Sequence, residues 1–392
     1  MVIGFDVSQT GRGKAGCGYY ADALIRCLLA RGSGPRYRLF PDFGDHYFDR
    51  FVSNRFSSRG HRVVFGPRHL TRESAAQFWT SPKLDEALGH PDVVHANNYW
   101  CPVQPIAGRV IYTLYDLGFL REPSWTTEEN RVACAEGVVR AAVAADWVVA
   151  ISAATRADFL RHFPAFPAER IRVIHPCSRF EGRGKPGRRP RKLSGVAPRA
   201  FWLTVGTLEP RKNLFRLTTA YRHYLAAGGA PMPLVLAGGA GWMMNDFEPH
   251  LARLGIASQV IRTGYLEDEE IAWLYENCYA NLYPSLFEGF GLPVLEGLQF
   301  GAPTIASSAS SIPEVAGNAA LLIDPEDEAA WAEAMLRLLR EPGLRDRLAR
   351  EALLRATDFD WRASATSLQA LYNEAVEQPK RSTPPAAAKD RG

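Results

Sequence analysis

The stretch Tyr283-Pro-Ser-Leu-Phe-Glu288-Gly-Phe-Gly-Leu-Pro-Val-Leu-Glu296 decides how the chain is read. It places two carboxylates eight residues apart, with two glycines and a proline between them. Upstream, Asn281-Leu-Tyr-Pro reads as the end of a strand. Downstream, Val294-Leu-Glu-Gly-Leu-Gln-Phe reads as a helix. Glu288 is therefore expected on a loop at a strand's carboxyl end, with Glu296 on the helix that follows and facing the same crevice. Gly289 and Gly291 let the backbone approach a ligand closely, and Pro293 suits helix position N1, where no amide donor is needed. The amides of Phe290, Gly291 and Leu292 then point into the crevice, where a helix amino terminus favours an anion.

The rest of the chain is built from strand-and-helix pairs. In the first half, apolar runs at 2–7, 37–40, 62–65, 93–95, 110–114, 147–151 and 171–174 read as strands, with helices over 20–30 and 127–144. In the second half, 201–205, 234–237, 260–262, 280–283 and 304–306 read the same way. Strands separated by helical stretches predict doubly wound parallel sheets, so the fold class is α/β with two Rossmann-like domains and a crevice between them. The expected limits are 1–176 for the first domain and 200–360 for the second. A basic linker is expected at 177–199, a helix crossing back to the first domain at 361–377, and a disordered tail at 378–392.

At 392 residues the chain exceeds the usual single core, and 46% hydrophobic with 22% charged residues is ordinary for a globular enzyme. Six scattered cysteines form no C-x-x-C pair, which predicts reduced thiols and no zinc site. The start, Met-Val-Ile-Gly-Phe-Asp-Val, runs straight into a strand and does not read as a signal peptide. No stretch reaches the length of a transmembrane helix. The net charge of +4 is uneven: residues 177–199 carry eight Lys or Arg against one acid, whereas 200–377 carry 13 against 23. The basic excess reads as a solvated linker. Lacking interleaved aromatic residues, it does not predict a nucleic-acid groove.

Two acids beside an anion site are reconciled by a ligand that offers both phosphate and hydroxyl groups. The segment resembles the E-x7-E signature of retaining glycosyltransferases of family 4, which have the GT-B fold. The resemblance implies that Glu288 lies near a donor sugar and that Glu296 binds ribose hydroxyls. Gly206-Thr207-Leu-Glu-Pro-Arg211-Lys212-Asn213 follows a strand and resembles the family's pyrophosphate loop. It implies that Lys212 neutralises the diphosphate, with Arg211 as second cation, because Thr207 stands where many members place an arginine. Asn213 is positioned to cap the next helix. Arg262-Thr-Gly-Tyr-Leu266 resembles the strand end that holds the nucleobase through backbone groups, here near Leu266.

Thr10-Gly-Arg-Gly-Lys-Ala-Gly16-Cys-Gly18-Tyr-Tyr-Ala21 contains G-x-G-x-x-A, with Asp42 24 residues after Gly18. Alone it would suggest an NAD enzyme. The second anion loop and the cations at Arg12 and Lys14 argue against this. The family's glycine-rich loop occupies the same place, which implies Gly16 as a phosphate contact. The segment from Val110 to Trp125 resembles one common in mannosyltransferase-like members, with Tyr115-Asp116 where many have His-Asp. Tyr115 reads equally as a hydrogen-bond donor to the sugar and as a core aromatic. His95 reads equally as an acceptor-side residue and as a satisfied structural histidine, while Asp146 and Ser152 read as structural.

Ser311-Ile-Pro-Glu314 and Leu322-Ile-Asp324-Pro325 complete the resemblance. It implies transfer of a hexosyl group from a nucleoside diphosphate sugar, with no metal and no cofactor. GDP-mannose is the best-matched donor, and users of UDP-glucose and dTDP-rhamnose share much of the same pattern. The implied acceptor is a glycan or lipid-linked saccharide, met in the cytoplasm or at the inner membrane face. An NAD-dependent oxidoreductase and a catalytically inactive GT-B scaffold are the alternatives.

Overall fold

The computed structural model describes residues 1–8, 10, 16–31, 34–40, 42–43, 63–65, 68–69, 77–97, 100–102, 104–182 and 187–381. The cations Arg12 and Lys14, the side chain of Asp42 and the tail from 382 lie outside the described residues. The chain divides into two compact units. The first comprises residues 1–120, 128–176 and 361 onward. The second comprises Arg121–Thr127 and Cys177–Asp360.

The first unit is built on seven parallel strands. These are β1 (Val2–Asp6), β2 (Arg36–Phe40), β4 (Val63–Phe65), β6 (Val93–Asn97), β7 (Arg109–Leu114), β8 (Trp147–Ala150) and β9 (Ile171–Val173). They lie in the order β4-β2-β1-β6-β7-β8-β9. The two-residue strands β3 (Asp42–Phe43) and β5 (Arg68–His69) pair separately. The central strands are buried along their length, as parallel strands covered on both faces require. Helix Gly16–Leu29 begins four residues before the expected Tyr20 and packs against Trp361–Glu377. Arg109 donates from Nε to the carbonyl of Ala375 (3.0 Å) and from Nη2 to that of Gln378 (2.8 Å), which satisfies the end of the Trp361–Glu377 helix.

The second unit has six parallel strands. They are β10 (Trp202–Val205), β11 (Leu234–Ala237), β12 (Val260–Gly264), β13 (Ala280–Tyr283), β14 (Thr304–Ser307) and β15 (Ala320–Ile323). The last was not expected from the sequence. Their order is β12-β11-β10-β13-β14-β15. Helix Leu214–Ala226 buries Leu214, Leu217, Tyr221 and Tyr224, one 3.6-residue stripe, and packs against helix Glu328–Arg340. Trp202 meets Tyr224 edge-on at 5.4 Å in this core.

Two expectations need correction. The 177–199 segment is not a solvated linker. Phe180 and Leu193 are buried in the second unit's core, and Arg189 lies over Trp273 at 4.8 Å. Apolar residues spaced among its cations anchor it. The start of the expected disordered tail is also fixed. The backbone amide of Arg381 donates to Asp146 (2.7 Å), and the Arg381 Nε donates to the carbonyl of Ala145 (2.8 Å). Asp146 also accepts from the Val110 amide, a structural role.

The loop after β10 lies directly on the loop after β11. Leu208 donates to the Gly239 carbonyl, and its own carbonyl accepts from Gly241, both at 3.1 Å. A Cβ on Gly238 would stand 2.0 Å from the Gly206 carbonyl oxygen. Gly238→Ala is therefore expected to destabilise the protein by about 1–3 kcal/mol. The measurement is the urea midpoint, and an unchanged midpoint would show that the two loops part without cost.

Candidate active site

Strands β10 and β13 are neighbours, yet β10 leads on to β11 on one side and β13 to β14 on the other. Such a reversal leaves a crevice beyond the carboxyl ends, where ligands bind in open parallel sheets. The loops at this point are 206–213 and 284–291. They are joined by a bond from the Leu286 amide to the Arg211 carbonyl (2.9 Å). Asn213 holds them as well. It sits at the helix N-cap position with φ +57° but caps nothing with its side chain. Its amide instead donates to the carbonyls of Pro284 (3.2 Å) and Pro325 (2.6 Å), so the expected capping role becomes a cross-tie.

Glu288 is 8% exposed and surrounded by donors. Lys212 Nζ lies 2.6 Å from Oε1 and Arg211 Nη1 2.7 Å from Oε2. Ser285 Oγ (2.5 Å) and the Tyr283 hydroxyl (2.9 Å) also donate to Oε1. Arg211 is held from behind by Glu209 (2.6 Å), itself buried, and donates to the Phe287 carbonyl at 2.7 Å. Burial would raise the Glu288 carboxyl, but Arg211 and Lys212 outweigh it and bring it to about 2. Burial and the Arg211 charge push Lys212 down from the usual lysine range, against the pull of Glu288. The Glu288 amide donates to Ser310 Oγ, and Ser311 Oγ bridges the carbonyls of Glu288 and Phe290 (2.8 Å each).

Helix Leu292–Gln299 starts directly after this cluster. Gly291 is its N-cap at φ +107°, a conformation that suits glycine, so Leu292 takes N1 and Pro293 follows it, one place later than expected. The first amides of a helix have no partner within it. Val294 and Leu295 bond back to the Gly291 carbonyl, which leaves Gly291 and Leu292 as the helix-end donors. Glu296 is 3% exposed. Arg179 grips it with Nε 2.9 Å from Oε1 and Nη2 3.2 Å from Oε2, and the Tyr275 hydroxyl donates to Oε2 at 3.2 Å. Burial raises the Glu296 carboxyl despite Arg179. Arg179 also reaches Asp268 at 3.3 Å. Leu266 lies half-buried against the core that holds Phe180 and Tyr275. Gly206, at φ +150°, faces the Lys212 side chain, and Thr207 is exposed beside it.

The remaining candidates belong to the first unit. Gly16 opens helix Gly16–Leu29 and is exposed. Tyr115 donates to the Cys17 carbonyl (3.1 Å) and to Asn97 Oδ1 (3.2 Å). Asp116 accepts from the Gly118 amide at 2.9 Å, and Ser152 caps helix Ala153–His162. His95 is fully buried, with Nδ1 2.6 Å from the Tyr372 hydroxyl and Nε2 2.7 Å from Thr113 Oγ1. Burial takes its imidazole down to about 3, so it stays neutral. This is a satisfied core histidine and lines no acceptor face. Among the described residues, no group of three His, Cys, Asp or Glu could hold a metal ion.

Comparison with known proteins agrees with this layout. Residues 190–355 match the family model "Glycosyl transferases group 1", and residues 15–177 match "Glycosyltransferase Family 4". O-antigen chain mannosyltransferase B of Escherichia coli is 30% identical over 363 residues, which is 90% of this chain and 94% of that one. The chain belongs to the family 4 glycosyltransferases of GT-B fold. Solved structures share the fold, among them the two that follow. Sucrose-phosphate synthase from Thermosynechococcus elongatus has a TM-score of 0.69 at 21% identity, covering 95% of this chain and 98% of that one. Anabaena Alr3699/HepE in complex with UDP and glucose has a TM-score of 0.69 at 20% identity, covering 95% and 100%.

Several residues of this cluster escaped the sequence reading. Glu209, Ser285 and Ser310 sit beside recognised positions, but nothing in their spacing marks them as partners of Arg211 and Glu288. Arg179 was one cation among eight in the apparent linker. Tyr275 reads as an ordinary core residue of helix Asp268–Asn277.

The pairings carry two testable consequences. The Glu288 carboxyl sits below its usual 4.5, at about 2, so its contribution to stability is present above pH 4.5 and lost as the pH falls toward 2. Over that window wild type is expected to lose stability toward urea more steeply than Glu288→Gln; parallel curves would refute the pairing. Arg179→Ala leaves Glu296 buried without its cation and is expected to cost about 3 kcal/mol at neutral pH. A urea midpoint within error of wild type would show that Glu296 does not depend on Arg179.

Proposed function

We propose that this chain transfers a mannosyl group from GDP-mannose to a hydroxyl of a glycan or lipid-linked saccharide, with retention of anomeric configuration. The observation that carries the reading is the buried Glu288, paired with Lys212 and Arg211 at the β10–β13 reversal beside the amino end of helix Leu292–Gln299. A diphosphate is served there by the Lys212 ammonium, the Arg211 guanidinium and the helix-end amides. Lys212 has three hydrogens, and Glu288 and Tyr283 take two. In this reading the third serves the diphosphate. Relatives named as mannosyltransferases, such as O-antigen chain mannosyltransferase B, support the choice of sugar.

Glu288 is ionised at neutral pH, so it is a hydrogen-bond acceptor for a sugar hydroxyl and not a general acid. The bond from the anomeric carbon to the phosphate oxygen breaks as the acceptor oxygen bonds to the same face. The departing phosphate oxygen takes the acceptor's proton. Lys212 and Arg211 stabilise the charge that develops on the leaving diphosphate. Glu296 offers the ribose what Arg179 and Tyr275 leave of its lone pairs, Leu266 contributes backbone groups to the base, and Gly16, Tyr115 and Asp116 serve the sugar and acceptor side. Among the described residues no helix is long and apolar enough to cross a membrane, and a lipid-linked acceptor would be met by peripheral contact at the inner face.

Two experiments test this. In a thermal-shift panel of GDP, UDP, dTDP and NAD, GDP is expected to raise the melting temperature most; a shift with NAD alone would replace the reading with an oxidoreductase. Lys212→Ala is expected to lower turnover about ten- to a hundred-fold, the worth of one charge-assisted hydrogen bond. Nucleotide binding without any transfer by wild type would indicate an inactive scaffold.

A further inference from the structure

Residues 121–127 come from the first half of the sequence, yet they are part of the second unit. They form a stiff turn. The Glu122 carboxylate accepts from the Ser124 amide (3.1 Å) and hydroxyl (2.7 Å), and Pro123 fixes the start of the 3-10 turn Pro123–Trp125. The turn presents Trp125. The Trp125 carbonyl accepts from the Trp242 indole N–H at 2.8 Å. The Trp125 ring lies against Phe287, centroids 6.0 Å apart and planes 31° from parallel. Arg121 places its guanidinium 5.6 Å from the centre of the same Phe287 ring. The turn also packs against Pro210–Lys212.

Phe287 stands at a critical place. Its carbonyl accepts from Arg211 Nη1, and its next residue is Glu288, which Arg211 pairs with. Trp242, which holds Trp125, follows Gly241, whose amide donates to the Leu208 carbonyl of the cation loop. The Trp125 ring, itself held by Trp242, therefore backs the peptide that carries both an acceptor of Arg211 and its counter-ion.

We infer that Trp125 is a positioning residue for the Arg211–Glu288 pair, acting through Phe287 and anchored by Trp242; this rests on the transferase reading above. Without the Trp125 ring, Phe287 loses its covering and the 287–288 peptide is free to shift. The carboxylate and the carbonyl that orient Arg211 then move together. Misplacement by about 1 Å costs an enzyme on the order of a hundred-fold in rate. The contacts of Lys212 and the helix end are not altered by the change; what is disturbed is the share that Arg211 supplies.

The test measures release of nucleoside diphosphate from GDP-mannose, UDP-glucose and dTDP-rhamnose by full-length protein, with GDP affinity by calorimetry and the melting temperature alongside. Trp125→Ala is expected to lower kcat about ten- to a hundred-fold. KM and the GDP Kd should weaken no more than they do in Arg211→Ala, since only the Arg211 share of the nucleotide contacts is disturbed. Trp125→Phe, which keeps a ring against Phe287, is expected to recover most of kcat, and Trp242→Phe, which keeps a ring but loses the indole N–H, to give an intermediate loss. Wild-type kcat in Trp125→Ala would overturn the inference. So would a loss that Trp125→Phe fails to restore while remaining folded. If Trp125→Ala does not fold, Trp125→Phe and Trp242→Phe decide it, and wild-type kcat in Trp242→Phe counts against the anchoring by Trp242. A wild-type protein that releases diphosphate from none of the three donors contradicts the transferase reading itself, a result distinct from any pattern among the variants.

Discussion

A carboxylate removed from water stays charged only if cations reach it, and Glu288 is held in that state by Arg211 and Lys212. Most of the second unit serves to bring these three together. The loops come from strands adjacent in the sheet but 78 residues apart at the Thr204–Leu282 bond that ties them. Asn213 and the Leu286 amide lock them in register. Glu209 balances Arg211, so the cluster carries two positive and two negative charges. Such a site is preorganised. A ligand finds the donors already aimed, and little reorganisation is left for the moment of reaction.

The first unit has a reversal of its own, between β1 and β6, and treats it differently. Asp6 ends β1 and accepts from the amides of Ser8 (2.8 Å) and Asn97 (3.3 Å). Its partners are neutral, and burial raises its carboxyl to about 7. Asn97 and Tyr115 extend the same network to Cys17 at the start of helix Gly16–Leu29. His95 is sealed on the same strand as Asn97, nearer its start.

Much of this was legible because glycine, proline and charge fall where strands end. Gly206, Gly291 and Pro293 mark loops whose geometry few other residues tolerate, and Lys212 and Glu288 stand on those loops. The places of most strands followed from short apolar runs between such breaks. What could not be read was pairing at long range. Arg179 meets Glu296 across 117 residues, and Glu209 turns back on Arg211 within its own loop. The apparent linker misled because its composition is basic and glycine-rich, while Phe180 and Leu193 within it decide its fate by burial. Strand β15 was missed because four apolar residues beside a turn carry no period of their own. The helix at Gly16 starts early because packing against Trp361–Glu377 overrides the low helix propensity of Gly16 and Gly18.

The most direct check is a calorimetric titration of GDP into wild type and Arg211→Ala under matched ionic strength. If the Glu288 cluster receives the diphosphate, the variant should bind GDP at least about ten-fold more weakly, the worth of one lost charge-assisted contact. Equal affinity in the two proteins would place the nucleotide elsewhere and contradict the assignment of this site.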